Sequence, residues 1–247
     1  MGLSVEDRLD YHATHRKRIF SSSGRMASKR LKEIELNINF EGKTVLDLGC
    51  SGGYFSFNLA KTAKQVLGVD GDKEVIDQNI LQVQQKNIDN IKFIHSRITS
   101  DFLLTLEKYD VVIFLSVFHH MLAASDAYGW NTEDSRNTAI KTLSDIRNRA
   151  NIMVFEMGRS DEQYDWSSKL PKMLPDPVSW VINNVFGEEF EVKVIQPPVL
   201  RGFLGIIRYW ALNNNSNSVF FRILRRIVHA DIRDKRHLFI GTRINQK

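Results

Sequence analysis

The stretch Val45-Leu46-Asp47-Leu48-Gly49-Cys50-Ser51-Gly52-Gly53-Tyr54-Phe55-Ser56 limits the possible folds more than any other part of the chain. A short apolar run enters a glycine-rich turn, and a helical pattern leaves it. In that context the glycines have a mechanical use. Gly49 and Gly53 let the backbone turn tightly and approach a ligand with no Cβ in the way. The amides that open the following helix then face an anion. A glycine turn alone is weak support, and a second element joins it. The apolar run 66–69 ends in Asp70, 23 residues after Asp47. An acid at the tip of the second strand is placed to accept hydrogen bonds from both hydroxyls of a ribose.

The rest of the chain repeats the alternation of strand and helix. Apolar runs at 44–48, 66–69, 91–94, 110–115 and 152–155 read as buried strands, with helical stretches at 54–64, 72–86 and 132–149 between them. Continuous apolar strands separated by helices predict a parallel sheet covered on both faces, a doubly wound α/β arrangement. A short basic helix is expected at 24–36, one further helix at 180–186, and two final strands at 190–195 and 237–244. A helical insertion, 196–236, separates those last two strands. The polar segment 158–177 holds three prolines; it is long for a connection and reads as a functional loop.

Composition narrows the class. With 43% hydrophobic residues, 15 Phe and 4 Trp in 247 residues, the chain can bury a sizeable core, which excludes overall disorder. A single cysteine excludes an internal disulfide framework and a zinc site built on paired cysteines. His12, His15, His95, His229 and His237 show no ligand spacing, so no metal is expected. No apolar run approaches the ~18 residues of a spanning helix, and residues 1–18 lack the apolar stretch of a signal peptide. A reduced, cytoplasmic protein is the expectation.

The formal net charge of +5 is unevenly spread. Residues 201–247 carry ten Lys and Arg against Asp231 and Asp234, whereas the first 200 carry 24 basic and 27 acidic residues. Segregation of this kind concerns partners more than fold. Phe220, Ile223, Leu224 and Ile227 share one helical face, and Arg222, Arg225, Arg226 and His229 gather on the other. Upstream lie Phe203, Leu204, Ile206, Ile207, Tyr209 and Trp210. The stretch 202–228 therefore has two readings: it lies on an anionic membrane interface, or it packs on the protein's own sheet or a second subunit. The oligomeric state stays open.

The spacing of the turn separates two nucleotide-binding patterns. Dinucleotide loops run Gly-x-Gly-x-x-Gly directly after the strand, whereas here Asp47 precedes Gly49 and Gly53 as Asp-x-Gly-x-x-x-Gly. This resembles motif I of the class I S-adenosylmethionine-dependent methyltransferases. Asp70 in Leu67-Gly68-Val69-Asp70 is similar to that family's ribose-binding acid. Tyr109-Asp110-Val111-Val112-Ile113-Phe114-Leu115-Ser116-Val117-Phe118-His119-His120 resembles its fourth motif, whose strand end, Leu115 here, lies beside the donor's sulfonium and methyl group. The matches run from Val45 to Phe155. The resemblance implies a Rossmann-like, seven-stranded, mostly parallel sheet with a reversed last strand. It also implies S-adenosyl-L-methionine as cofactor and a single domain over 1–247. That domain divides into a cap segment 1–40, a cofactor-binding core 41–156 and an acceptor-side part 157–247.

The resemblance places Asp47, Gly49, Cys50, Ser51 and Gly53 in the cofactor turn, with Cys50 as small packing. Ser51 replaces the family's middle glycine, a change that a small residue should absorb. Arg97, in Phe93-Ile94-His95-Ser96-Arg97-Ile98, stands where the family often has an acid for the adenine amine. An arginine cannot accept that hydrogen bond. Either another residue takes the amine or Arg97 stacks on the ring, while Ile98 offers its backbone N–H. An arginine of the cap segment is expected to pair with the donor's carboxylate; Arg25 is the candidate, with Arg16, Arg18 and Arg30 as rivals.

Methyl transfer needs an aligned acceptor and exclusion of water, and an acceptor with a proton to lose benefits from a base. His119 and His120 follow the fourth strand and are candidate bases; the alternative is that they position the cofactor or pack the loop. Glu156, ending the fifth strand, is a second candidate base or acceptor-positioning group, or else it caps the next turn. Segment 158–177, with Tyr164, Trp166 and Lys169, is expected to cover the acceptor. The expected reaction is O-methylation of a polar or anionic acceptor, such as a glycan or lipid-linked intermediate, at the inner face of a membrane. RNA, tRNA included, or a phosphate end is the alternative acceptor, and a non-catalytic donor-binding scaffold is the alternative of another class.

Overall fold

A computed structural model of the chain describes residues 27–118, 121, 135–156, 177–195 and 237–244. Seven strands form one sheet: β1 (Thr44–Leu48), β2 (Gln65–Asp70), β3 (Ile91–His95), β4 (Tyr109–Leu115), β5 (Ala150–Glu156), β6 (Phe190–Ile195) and β7 (Leu238–Arg243). Their order is β3-β2-β1-β4-β5-β7-β6. The first five run parallel, and β7 is antiparallel to both β5 and β6, as the expected reversed strand requires. The order reverses between β1 and β4, so their carboxyl ends open a crevice where ligands bind in open α/β sheets.

Alternation along each strand feeds two cores. Leu46, Leu48, Val112, Phe114, Met153 and Phe155 point to one face. There they meet Leu103 of α4 (Ser100–Leu104), Leu143 and Ile146 of α5 (Ser135–Asn148) and Val181 of α6 (Pro177–Val181). Val45, Val66, Val111, Ile113 and Val154 point to the other face. They meet Leu31 and Ile34 of α1 (Ala27–Asn37), Phe57 and Leu59 of α2 (Tyr54–Leu59) and Ile76 of α3 (Lys73–Lys86). This two-sided burial is why the strands read as unbroken apolar runs.

Local chemistry sets the helix ends. The Asp72 carboxylate accepts from Glu74 N and Val75 N at 3.0 and 3.3 Å, and α3 stops at Asn87 in a left-handed conformation. α2 is shorter than its apolar pattern suggests. The chain leaves it at Leu59 because Ala63 bridges to Glu41 and Lys64 N donates to Lys43 O at 2.9 Å, which delivers the chain to β2. The helix expected at 180–186 is a short α6 followed by a wide turn, Ile182–Phe186, and a tight one, Gly187–Glu189; Val185 and Phe186 are buried. α4, capped by the Thr99 hydroxyl, has no counterpart in the sequence reading. Residues 158–176 and the insertion 196–236 lie outside the described residues, so the readings made for them do too.

The amino edge of the sheet is tied by polar contacts. Asp110 Oδ2 accepts from Thr44 N at 2.8 Å and from Thr44 Oγ1 at 3.0 Å. Arg243 donates to Ala150 O, to Arg147 O and to Glu189 Oε2, and its guanidinium sits 4.6 Å from the Phe190 ring centroid.

Candidate functional site

The glycine turn hangs from β2 by its backbone. Gly49 N and Cys50 N both donate to Val69 O, at 2.8 and 3.1 Å, and Gly53 N donates to Cys50 O at 2.9 Å. Gly49 has φ +77°, and a Cβ there would lie 2.2 Å from Val117 Cγ2. Conformation and space both require glycine at this position. Ser51 also lies in the left-handed region, with φ 46°, so the departure from the family's glycine is carried as backbone strain on the order of 1 kcal/mol. Two hydrogen bonds hold it. Ser51 N donates to Asp70 Oδ2 at 2.8 Å, and the buried Asn79 of α3 donates from Nδ2 to Ser51 O at 2.7 Å.

Asp70 therefore sits beside the turn at the tip of β2. Its other oxygen accepts from Asp72 N at 2.9 Å. A carboxylate offers about four lone-pair positions, and each oxygen here has given up one to a backbone amide. The remainder suits a pair of hydroxyl donors, so the residues present fit the ribose of S-adenosylmethionine. Ser96 N donates to Asp70 O at 3.0 Å, which brings the end of β3 to the same edge. Arg97 there is exposed and Ile98 is buried. Leu115, buried, ends β4.

Two members of the turn face inward. Asp47 is 3% exposed and its Oδ2 accepts from Ser56 Oγ. Burial pushes its carboxyl up to about 7, even though the Ser56 hydroxyl favours the charged form. The Cys50 thiol is pushed up as well, first by burial and then by the charges of Asp47 and Asp70. A buried thiol of this kind packs rather than reacts.

Across the crevice, β4 and β5 end together. Ser116 has φ 60°, its N donates to Glu156 O at 2.9 Å, and its hydroxyl donates to Glu156 Oε1 at 2.5 Å. Arg30 Nη1 of α1 lies 3.0 Å from the same oxygen. Glu156 thus joins an arginine 126 residues away. Arg30, a rival for the donor's carboxylate, is engaged there. His119, His120 and Arg25 lie outside the described residues. Their neighbour Phe118 is buried and stacks with Trp180, ring centroids 6.2 Å apart. Among the described residues, no three His, Cys, Asp or Glu gather as metal ligands do.

Sequence reading missed Asn79, Ser56 and the Arg30–Glu156 pair as parts of this edge. Asn79 left a signal: it is three residues after buried Ile76, a polar residue on a core-facing helical stripe. Ser56 is three residues past Gly53, within the helix that the turn opens. For Arg30 and Glu156, nothing in the spacing connects them.

Comparison with known proteins agrees with this fold. A family described as "Methyltransferase domain" matches residues 39–169, just over half of the chain. A ubiquinone biosynthesis O-methyltransferase of Coxiella burnetii is 36% identical over 94 residues, which cover 37% of this chain and 38% of the relative. A 23S rRNA (uracil(1939)-C(5))-methyltransferase, RlmD, of Vibrio campbellii is 36% identical over 72 residues, 28% of this chain and 16% of the relative. The chain thus spans about two fifths or less of these relatives' lengths. Among solved structures, the bifunctional kinase-methyltransferase WbdD superposes with a TM-score of 0.59 at 20% identity, over 87% of this chain and 39% of that one. The magnesium protoporphyrin IX methyltransferase of Synechocystis PCC 6803, solved with bound S-adenosylmethionine, gives 0.51 at 14% identity, over 89% and 79%. At these identities the structural likeness is one of fold.

Proposed function

The chain belongs to the class I S-adenosylmethionine-dependent methyltransferase family, and from that premise we propose that it methylates an oxygen of a polar or anionic acceptor such as a glycan or lipid-linked intermediate. The observation that carries the donor half of this reading is Asp70 held against the glycine turn by Ser51 N. The acceptor half is supported by the relative named as an O-methyltransferase of ubiquinone biosynthesis.

The cofactor supplies a methyl group on a sulfonium, which is already a good leaving group. Asp70 would hold the ribose hydroxyls, and the backbone of Gly49, Ser51 and Gly53 leaves room beside them. Arg97 and the Ile98 backbone N–H would flank the adenine, and Leu115 would wall the methyl group. Asp47, buried beneath the turn with its carboxyl raised to about 7, would brace the turn through the Ser56 hydroxyl. His119 and His120 are the candidate bases for the acceptor's proton. Glu156 would orient the acceptor side, its charge already neutralised by Arg30 at 3.0 Å, an arrangement that suits positioning better than proton uptake. The basic stretch 202–228 would bring the site to an anionic surface. Among the described residues no helix is long and apolar enough to cross a membrane.

A second reading, an RNA acceptor, is favoured by the match to RlmD. Incubating the protein with methyl-labelled S-adenosylmethionine and separate lipid, glycan and RNA extracts decides between them. Label in the glycan or lipid fraction is the expected result. Label confined to RNA overturns the acceptor assignment. Binding of S-adenosylhomocysteine with no label in any fraction points to a scaffold.

A further inference from the structure

Arg30 touches two separate parts of the crevice and reaches a third through one of them. Its Nη1 reaches Glu156 Oε1 at the end of β5, and that oxygen also takes the Ser116 hydroxyl from the end of β4. Its guanidinium lies 5.5 Å from the ring centroid of Phe55, two residues after Gly53 in the first turn of α2. The pair is desolvated: the side chains are 14% and 3% exposed. Arg30 Nε is buried with no hydrogen-bond partner among the described residues, so the guanidinium is fixed by Nη1 and by the Phe55 face.

A buried ion pair is a poor device for stability, since apolar residues of similar volume hold a core as well or better. α1 also has an apolar attachment, which holds it to the sheet without fixing its direction. Ala27, Leu31 and Ile34, at i, i+4 and i+7, bury its apolar stripe. What the pair adds is direction. A charge-assisted hydrogen bond from Nη1, with the guanidinium set against the Phe55 ring, fixes orientation in a way that an apolar contact does not. The carboxylate that Arg30 grips also holds Ser116 in its left-handed bend, φ 60°, at the end of β4.

We infer that Arg30 is a positioning residue. Through Glu156 and Ser116 it docks α1 onto the carboxyl edge of the sheet and sets the wall between the donor turn and the acceptor side. This latch, rather than a direct ion pair with the donor, is how α1 contributes to donor binding. The inference rests on the reading of this edge as the methyl-donor site for its effect on binding, but not for the docking of α1.

A double-mutant cycle separates the possibilities. Arg30→Met, Glu156→Gln and the double variant are compared in two measurements: hydrogen exchange of the α1 amides in ligand-free protein, and calorimetric titration with S-adenosylhomocysteine. Each single variant is expected to speed α1 exchange by roughly tenfold, with the sheet unaffected, because the opening is local. Each is also expected to weaken S-adenosylhomocysteine binding by about fivefold to tenfold, and the double variant adds nothing further, as for two residues acting as one unit. Arg30→Lys restores part of both effects. The milder Glu156→Gln keeps an acceptor for Ser116 and carries the test if Arg30→Met does not fold.

Additive effects overturn the latch. So does a loss of affinity in Arg30→Met alone with α1 exchange unchanged, which would make Arg30 a direct donor contact. If the parent protein binds no S-adenosylhomocysteine, the donor-site reading fails instead. The exchange data then still decide whether Arg30 docks α1.

Discussion

Asp47 and Asp110 sit on adjacent strands of one sheet, and their carboxyl groups move in opposite directions. Asp47, near the carboxyl end of β1, is buried with the Ser56 hydroxyl and is pushed up to about 7 by its burial. Asp110, near the amino end of β4, is held below the usual carboxylate range, chiefly by the Thr44 backbone N–H and also by the Thr44 hydroxyl and Lys43. The glycines differ in the same sense. Gly42, before β1, has φ +71° and open space where a Cβ would go; Gly49, after β1, has φ +77° and Val117 in the way. The amino edge holds its carboxylates in matched hydrogen bonds, although Arg147 Nε and Arg149 Nε are buried there without a hydrogen-bond partner among the described residues. The carboxyl edge carries strain and a poorly compensated carboxyl, which is where a fold of this kind keeps its site.

Substitution at the two glycines should break the symmetry of their backbone angles most strongly. Gly49→Ala combines a left-handed alanine with a clash against Val117, so denaturant unfolding should show a loss of about 2–5 kcal/mol. Gly42→Ala meets only the conformational penalty and should lose about 1–2 kcal/mol. Equal losses at both positions would mean that the turn repacks freely and that the close approach of Val117 is unimportant.

The two aspartates should then separate by pH. Asp47 is raised in the folded state, so the folded protein binds its proton more tightly than the unfolded chain. That stability is fully present below about 3.8 and is lost as pH rises through about 7. Asp47→Asn removes this loss: between pH 4 and pH 8 the parent should weaken relative to the variant. A shift of this size has an upper limit of roughly 4 kcal/mol, and we expect about half of it. Asp110 has the opposite sign. Its contribution is present above the ordinary carboxylate value and lost as pH falls through its lowered folded value. Asp110→Asn should therefore destabilise the protein at pH 7 by about 1 kcal/mol or less, the size of a half-exposed hydrogen-bonded pair. The gap should close in acid. Thermal melts of the parent and the two variants at pH 4, 6 and 8 check both signs.

The contrast between edges also explains what was legible in the sequence. β1 and β6 fall on their expected residues, and β2, β3, β4 and β5 differ from the reading by at most two residues at either end. Period and apolar content report burial directly, and the order of strand, glycine turn and acid located Gly49, Gly53 and Asp70 without a structure. Helix ends were less legible. α2 ends at Leu59 because the chain must bridge to Glu41 before β2, a tertiary demand that the apolar pattern of 54–64 does not record. Ser51 and Ser116 occupy left-handed positions that glycine would have announced. Asn79 and the Arg30–Glu156 pair depend on contacts between elements far apart in sequence, which periodicity cannot connect.

Asp70 joins the strained turn to the donor site, because it holds Ser51 N and offers its remaining lone pairs to a ribose. Calorimetric titration of the parent and Asp70→Ala with S-adenosylhomocysteine tests that assignment directly. A lost hydrogen bond to a charged group is worth about 1.5–3 kcal/mol, so the variant should bind roughly tenfold to a hundredfold more weakly while circular dichroism shows an intact fold. Unchanged affinity in a folded Asp70→Ala protein would contradict the account of the donor site.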